Sequence, residues 1–379
     1  MNPQSATPLQ LLPYLVFLLV YVVLCLTSEL TRRRFFHLSA LGVALLFAGF
    51  RNTISPDMER YRYFYEHYQN DDYQKLIEPS FVLVSTVLNK LDLNYHSIFF
   101  FYTLISLCFV FAAIKNLTGH VKTSMLLYIL IPHLFLNLFI EMRQECAVSV
   151  VFYAISLFRH KQIRLKKTRI LILALISIAV HYSAAGYWII YLIFSWWIKR
   201  QHSLKLYSVS LFVSLIIPSW AILSVAYFAL YPVLPPEYQL HVDELRGLST
   251  GSGEHSLASL AIYNSLALAF VVAERTKSIP KSFADLVNIF FIGVIFLNLT
   301  RAYGDMARFA DYFIIYEIIL LPVLLFRAGK PYLRPAMIYG VLLFYFVHFI
   351  NGLYYLNEET GTYIFLNYSN ALLPDSKHL

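Results

Sequence analysis

The sequence predicts an all-α polytopic integral membrane protein that crosses the bilayer about twelve times. Hydrophobic residues make up 59% of the 379-residue chain and charged residues only 14%, whereas soluble domains carry about 25% charged residues. Apolar segments of roughly the 20 residues that a membrane helix needs recur along the chain. The formal charge of +8 comes from short Lys and Arg clusters between those segments, which is a signal of topology. These features exclude a water-soluble fold and predict one membrane domain over residues 1–379, with no nucleic-acid partner.

The basic clusters predict which helix ends face the cytoplasm. Cytoplasmic loops carry an excess of Lys and Arg, so all of these clusters are expected on that side. Successive clusters are then separated by an even number of crossings, and both termini lie outside. The clusters are Arg32–Arg34, Lys115–Lys122, Arg159–Arg169, Lys199–Lys205, Arg275–Lys281 and Arg327–Arg334.

The predicted crossings are apolar segments bounded by polar or basic residues. One long segment, Ile170–Ile198, has basic residues at both ends and is predicted to form a short helical hairpin that turns at His181–Gly186. A single tilted span is the alternative interpretation. The other predicted crossings are Leu9–Thr27, Phe35–Phe50, Ser97–Ile114, Ser124–Ile140, Cys146–Phe158, Leu206–Leu230, Leu257–Ala273, Phe283–Leu299, Phe309–Phe326 and Ala336–Leu353.

Region 51–95 is predicted to lie on the outer side without crossing the membrane. It contains an amphipathic helix that begins after Pro56 and carries an aromatic stripe starting at Tyr61. The apolar run that follows, Ser80–Leu88, is too short to span, and such runs are more often re-entrant or interfacial helices. A second outer-side loop, rich in Pro and Gly, is predicted at 231–256.

Ionisable and polar side chains recur at the predicted outer ends of the apolar segments. Such a group beside the hydrocarbon is costly, so it is by default a candidate for function. The arginines favour an anionic ligand, because a guanidinium binds phosphate oxygens in two-point geometry. The candidates are Arg51, Asp57, Tyr61, Arg143, Gln144, His181, Arg301, Arg308 and Tyr312.

Structural interpretations of these residues stay open. Arg143 could pair with Glu141 or Glu145 instead of binding phosphate. Arg301 and Arg308, seven residues apart, could clamp a diphosphate or could be neutralised by neighbouring aspartates. The sequence contains no GxxxxGK[ST] loop, HExxH or DxD motif. It therefore predicts neither a cofactor nor a metal ion.

The ordered motifs from about residue 50 to 312 resemble the EpsG-type, Wzy-like family of bacterial polysaccharide polymerases. The matching motifs are Phe50-Arg51 with Asp57 and Tyr61, Glu78-Pro79 before an apolar run, Met142-Arg143-Gln144 with Ala147, His181-Tyr182-Ser183-Ala184, and Arg301 with Arg308 and Tyr312. The resemblance implies a multi-pass enzyme of the bacterial inner membrane, with its active site on the periplasmic or outer side. Such enzymes join lipid-linked oligosaccharide repeat units into a surface polysaccharide, and polyprenyl diphosphate leaves.

The resemblance also implies roles for individual residues. Arg143, Arg301 and Arg308 would stabilise the charge on the leaving diphosphate without a metal, and the acceptor hydroxyl needs a base. His181 suits that role because imidazole titrates near neutral pH. Asp57 is slightly preferred, because a carboxylate also suits an oxocarbenium-like sugar centre. Further residues expected to contact substrate are Arg51, Tyr61, Glu78, Gln144 and Tyr312.

Two other functions compete with polymerisation. A lipid-linked glycan ligase would use the same arginines and base, so the sequence leaves it open. A transporter or flippase for an anionic glycolipid would carry basic residues deep within its spans, whereas the arginines in this chain lie at one end of them. Besides the lipid-linked oligosaccharide and the bilayer, a chain-length regulator and other assembly proteins are candidate partners.

Overall fold

The computed structural model of the chain is helical, as the sequence predicts. It describes residues 8–372 apart from 32, 53–55, 71–76, 160–165, 220–256, 355, 358–361 and 367, so the predicted loop at 231–256 lies outside the described residues. The helices are α1 (Pro8–Thr31), α2 (Arg34–Gly49), α3 (Pro56–Glu66), α4 (Pro79–Lys90), α5 (His96–Leu117), α6 (Val121–Leu130), α7 (Pro132–Phe135), α8 (Met142–Arg159), α9 (Lys166–Val180), α10 (Ser183–Ile193), α11 (Ser195–Ile198), α12 (Leu204–Ile216), α13 (Leu257–Arg275), α14 (Ala284–Thr300), α15 (Gly304–Ala307), α16 (Asp311–Ile314), α17 (Glu317–Arg327) and α18 (Arg334–Gly352). Strands β1 (Leu356–Asn357) and β2 (Thr362–Tyr363) pair antiparallel.

Six helical segments within the described residues are long and apolar enough to cross a membrane, and a bent pair could supply a seventh. The six are Leu9–Ser28, His96–Leu117, Leu257–Arg275, Lys281–Thr300, Arg308–Arg327 and Pro331–Gly352. The chain is therefore multi-pass, but this number does not confirm twelve crossings. Helices α2, α10 and α12, with 16, 11 and 13 residues, are shorter than the about 20 residues that a span needs. The predicted crossing Leu206–Leu230 continues into residues that the structure does not describe.

The predicted crossing Ser124–Ile140 is broken. Helix α6 and the segment Pro132–Phe139 meet at an angle of 81°. The break is at Ile131, which has φ −82° and ψ 110°, because the ring of Pro132 disfavours a helical conformation in the residue before it.

The predicted turn within Ile170–Ile198 is also present. Helix α9 ends at Val180 and α10 begins at Ser183. The indole nitrogen of Trp188 donates to Ser177 Oγ over 3.0 Å. Residues eleven apart lie about 16 Å from each other along a continuous helix, which is beyond the reach of these two side chains. The chain therefore bends at residues 181–182, and one straight span is excluded.

The chain divides into two compact units, residues 1–189 with 332–379, and residues 190–331. In the first unit, Ser369 and Ala371 near the C-terminus are hydrogen-bonded to residues just after α2. Asn52 N donates to Ser369 O over 2.7 Å, and Ala371 N donates to Phe50 O over 2.8 Å. Tyr14 on α1 donates to Phe365 O over 2.8 Å.

The second unit is held together by polar and close-packed contacts between helices. Asn264 on α13 and Asn298 on α14 exchange two amide hydrogen bonds of 2.9 and 3.0 Å. Asn298 also donates to Ser214 on α12 over 2.8 Å. Gly293 lets α14 approach α16 closely, since a Cβ at Gly293 would lie 2.5 Å from Phe313 Cβ. Small residues and amide pairs of this kind are typical of helix contacts within membranes.

Candidate functional site

Three of the residues selected from the sequence meet in the first unit. Arg143 Nη1 donates a hydrogen bond to Glu78 Oε2. The other carboxylate oxygen, Glu78 Oε1, lies 2.5 Å from His181 Nδ1. Glu78 therefore bridges a guanidinium and an imidazole that come from distant parts of the chain. We call these three residues the Glu78 triad.

Each member of the Glu78 triad lies where a helix begins or breaks. Glu78 has an extended backbone, with φ −63° and ψ 144°, and directly precedes α4, whose first residue is Pro79. Proline is favoured at the first position of a helix, because a backbone N–H there would have no hydrogen-bond partner within the helix. Arg143 is the second residue of α8, and His181 lies in the bend between α9 and α10. The side chains thus project from backbone positions that are fixed by helix ends.

The triad is largely shielded from water. The side chains of Glu78, Arg143 and His181 are 6%, 15% and 27% exposed. Burial raises the pKa of Glu78, but the hydrogen bond with His181 and the charge of Arg143 together outweigh it. The pKa of Glu78 therefore lies below its ordinary value of 4.5, and the carboxylate is ionised at neutral pH.

Aromatic rings hold the guanidinium of Arg143. Its central carbon lies 4.9 Å from the centre of the Tyr61 ring and 5.5 Å from that of Phe81, which is within cation–π range. Phe81 in turn stacks on Tyr102 at 6.3 Å, and the Tyr102 hydroxyl lies 3.0 Å from Ser80 Oγ. These contacts fix the plane of the Arg143 fork. Tyr61 is buried in this structure and contacts Arg143; its predicted contact with substrate stays a prediction.

The geometry of the triad fixes the tautomer of His181. Because Glu78 is ionised and can only accept, Nδ1 of His181 is the donor in their hydrogen bond. In the neutral imidazole, Nε2 is then an acceptor for a proton. The negative charge of Glu78 stabilises the imidazolium that forms when Nε2 takes that proton. A partly exposed histidine in this arrangement can act as a general base.

Arg51 is enclosed by protein. Its side chain is among the largest that are fully buried, at 1% exposure. Its Nη1 donates to Ala48 O, its Nη2 donates to Leu138 O over 2.6 Å, and its guanidinium lies 4.9 Å from the Phe99 ring. Burial lowers its pKa to about 10. In this conformation Arg51 connects α2 with the turn at Asn137–Phe139 and presents no surface to a substrate.

Two predicted residues of the first unit have less defined surroundings. Asp57 is the second residue of α3, but its side chain lies outside the described part of the structure. Gln144 follows Arg143 on α8 and is half-buried.

Arg301, Arg308 and Tyr312 belong to the second unit. Arg301 Nη1 donates to Asn298 O over 2.5 Å and to Ile217 O over 3.2 Å. Arg308 is half-buried in a single turn before α16. Tyr312 is 1% exposed and packs 5.6 Å from the Phe309 ring. Backbone carbonyls, and not a carboxylate, are thus the described acceptors of Arg301.

Sequence reasoning missed the partners within the Glu78 triad. It offered Glu141 and Glu145 as partners for Arg143 because they are close in sequence. The described ion-pair partner, Glu78, is 65 residues away from Arg143 and 103 from His181. The only local signal was its position before Pro79 at the start of a helix.

Within the described residues, no group of three or more His, Cys, Asp or Glu side chains could hold a metal ion. Comparison with curated proteins finds no match. Comparison with solved structures also finds none. Comparison with known protein families matches residues 34–370 to the EpsG family. This match covers nearly the whole chain and every residue of the Glu78 triad, so the chain belongs to the EpsG family.

Proposed function

We propose that this protein polymerises lipid-linked oligosaccharide repeat units into a surface polysaccharide, with the Glu78 triad at its active site. Two observations support the proposal: membership of the EpsG family, and the bridging of His181 and Arg143 by one buried carboxylate. The second observation carries the assignment of the site. A base held in one tautomer beside a cation suits glycosyl transfer to a hydroxyl with an anionic leaving group.

In the proposed reaction, the acceptor sugar hydroxyl attacks the anomeric carbon of the donor glycan. The new bond forms between that oxygen and the anomeric carbon, and the bond from the anomeric carbon to the polyprenyl diphosphate breaks. The hydroxyl proton passes to His181 Nε2, and the electron pair of the broken bond leaves on the diphosphate. Glu78 stabilises the imidazolium, as an ionised partner does for other catalytic histidines.

The proposed roles differ from the sequence prediction at two residues. His181 becomes the preferred base over Asp57, because it has an orienting carboxylate. Arg51 is left out of the substrate-binding set, because it is buried and hydrogen-bonded to backbone carbonyls. Arg143 keeps its proposed role near the diphosphate.

The remaining proposed substrate contacts are carried over from the sequence. Arg301 and Arg308 are proposed as further cations for the diphosphate. Tyr61, Gln144 and Tyr312 stay candidate contacts. The proposed location is the outer side of the bacterial inner membrane, and about twelve crossings stay part of the proposal.

The test is the glycan ladder of a deletion strain complemented with wild type, His181→Ala, Glu78→Gln, Asp57→Asn or Arg143→Lys. His67→Ala is the matched control, since His67 is an exposed histidine in the turn that follows α3. Immunoblots of membranes must show equal amounts of each variant.

Loss of the ladder in His181→Ala and Glu78→Gln, with one repeat unit left on the lipid carrier, supports the polymerase and this site. A normal ladder in both variants rejects the triad as the active site. Full-length polymer that stays on its carrier in the deletion strain indicates a ligase instead. A normal ladder in the deletion strain rejects polymerisation altogether.

A further inference from the structure

Two basic loops of the second unit are joined by specific hydrogen bonds. One loop, residues 199–205, runs from the end of α11 into the first turn of α12, and the other, residues 275–281, begins with the last residue of α13. The amide of Gln201 donates to Glu274 Oε1, and Arg275 Nη2 donates to His202 O. The two loops therefore lie side by side. We call them the basic loop pair.

The basic loop pair concentrates exposed positive charge. Six of its side chains are exposed Lys or Arg, three from each loop: Lys199, Arg200, Lys205, Arg275, Lys277 and Lys281. The carboxylates nearest in sequence to the second loop are Glu274, which is buried and accepts from Gln201, and Asp285, which is half-buried four residues beyond Lys281. No described salt bridge involves any of the six cations. The patch thus attracts anions.

An exposed tryptophan next to the first loop is expected to lie at the level of the membrane surface. Trp196 is 59% exposed, and the guanidinium of Arg200 lies 5.6 Å from its ring centre. Tryptophan is enriched where hydrocarbon meets headgroups, and arginine reaches from the apolar region toward the phosphates. We therefore expect this pair to place positive charge at the depth of lipid phosphate groups.

Lys277 adds an independent observation. Its φ of 64° lies in the left-handed region, which a residue with a Cβ adopts at a cost and glycine adopts freely. The chain nevertheless has a lysine at this point, just after α13. Strained conformations of this kind concentrate at functional positions.

We propose that the basic loop pair is a binding site for the headgroup of an anionic phospholipid. Lys199, Arg200 and Lys277 are the expected phosphate contacts. Each Lys or Arg near an anionic membrane surface contributes enough attraction to change affinity about fivefold. The site is separate from the Glu78 triad and does not depend on the proposed polymerase function.

Lipid binding is tested on the purified full-length protein in mild detergent, by native mass spectrometry with added phosphatidylglycerol or phosphatidylcholine. The main variant is Lys277→Gly, which removes a charge while giving the backbone the residue that its φ favours. We expect its affinity for phosphatidylglycerol to be about fivefold lower, with an unchanged or higher melting temperature. Lys199→Gln/Lys277→Gly should lower the affinity about 25-fold. Raising the salt to about 1 M, where charges are screened within about 3 Å, should remove the preference for phosphatidylglycerol.

The matched control is Lys90→Gln, which removes an exposed lysine at the end of α4, on the side predicted to be outside. Its affinity for phosphatidylglycerol should equal that of wild type. Equal binding of the two lipids by wild type would overturn the proposal. An effect of Lys90→Gln as large as that of Lys277→Gly would also overturn it, because the lipid would then respond only to net charge. Both outcomes are read from lipid binding alone, so they are independent of the glycan-ladder test of the polymerase proposal.

Discussion

Replacing Glu78 by glutamine is the most direct test of the physical reasoning behind the site. Glutamine keeps the size of the side chain and removes its negative charge, so Arg143 and His181 lose the anion between them. Glu78 and Arg143 are 6% and 15% exposed, so water replaces little of the lost interaction. Removing one partner of such a buried pair costs about 3–5 kcal/mol. We expect Glu78→Gln to lower the free energy of unfolding by an amount in this range.

A double-mutant cycle separates the interaction from general damage. Arg143→Gln removes the other charge, and Glu78→Gln/Arg143→Gln removes both. Because neither charge is then left without its partner, the double variant should be more stable than the sum of the single effects predicts, by about 1–3 kcal/mol. The free energy of unfolding is measured by denaturant titration of each variant in the same detergent. Additive effects within about 0.5 kcal/mol, or a loss below about 1 kcal/mol for Glu78→Gln, would refute the buried ion pair.

Three further predictions concern stability. The pKa of Glu78 is lowered in the folded state, so the ionised carboxylate stabilises the protein above pH 4.5 and this stabilisation is lost as the pH falls through the folded pKa. The free energy of unfolding, measured between about pH 3 and 7, should therefore fall only on the acid side. Glu78→Gln should abolish this pH dependence. Gly293→Ala would place a Cβ 2.5 Å from the Cβ of Phe313 and should lower the stability of the fold by about 1–3 kcal/mol. Gly42→Ala is the control, since a Cβ at Gly42 would meet open space, and it should be neutral or stabilising. Thermal melts of the two variants compare them. Asn264→Leu leaves Asn298 without its amide partner and should cost about 0.6–2 kcal/mol, measured by denaturant titration.

Each of these three has a clear contrary result. Acid sensitivity that persists in Glu78→Gln would assign it to another carboxylate. Equal melting temperatures for the two glycine variants would show that the close contact at Gly293 relaxes without cost. A stability gain for Asn264→Leu would mean that apolar packing at this position outweighs the amide pair.

The helical class, the membrane location and most helix positions could be predicted from the sequence. Long apolar segments such as Leu9–Thr27 and Leu257–Ala273 have no alternative to burial in lipid or protein, and backbone groups in lipid must be bonded within a helix. The bend in Ile170–Ile198 was also predictable, because the segment is too long for one span. The predicted number of crossings is not confirmed, since short apolar helices such as α10 and α12 satisfy hydropathy without having the length to span.

The break at Ile131 shows why hydropathy alone does not predict where a helix bends. Ser124–Ile140 is apolar throughout, so its composition predicts a crossing. Pro132 was the signal that the chain could bend there. The size of the bend, 81°, depends on what the two pieces pack against, including the contact between Leu138 and Arg51.

The sequence by itself determined which residue types were available for chemistry: arginines, a histidine and carboxylates beside apolar segments, where their cost in free energy makes them conspicuous. Only the tertiary structure decided which of them act together. Glu78 accepts from Arg143 and contacts His181 across 65 and 103 residues of chain, while Arg51 is enclosed by carbonyls and aromatic rings. The physical reason is that helix pattern depends on neighbours in sequence, whereas a buried charge takes whichever partner the packing of distant helices brings within hydrogen-bonding distance.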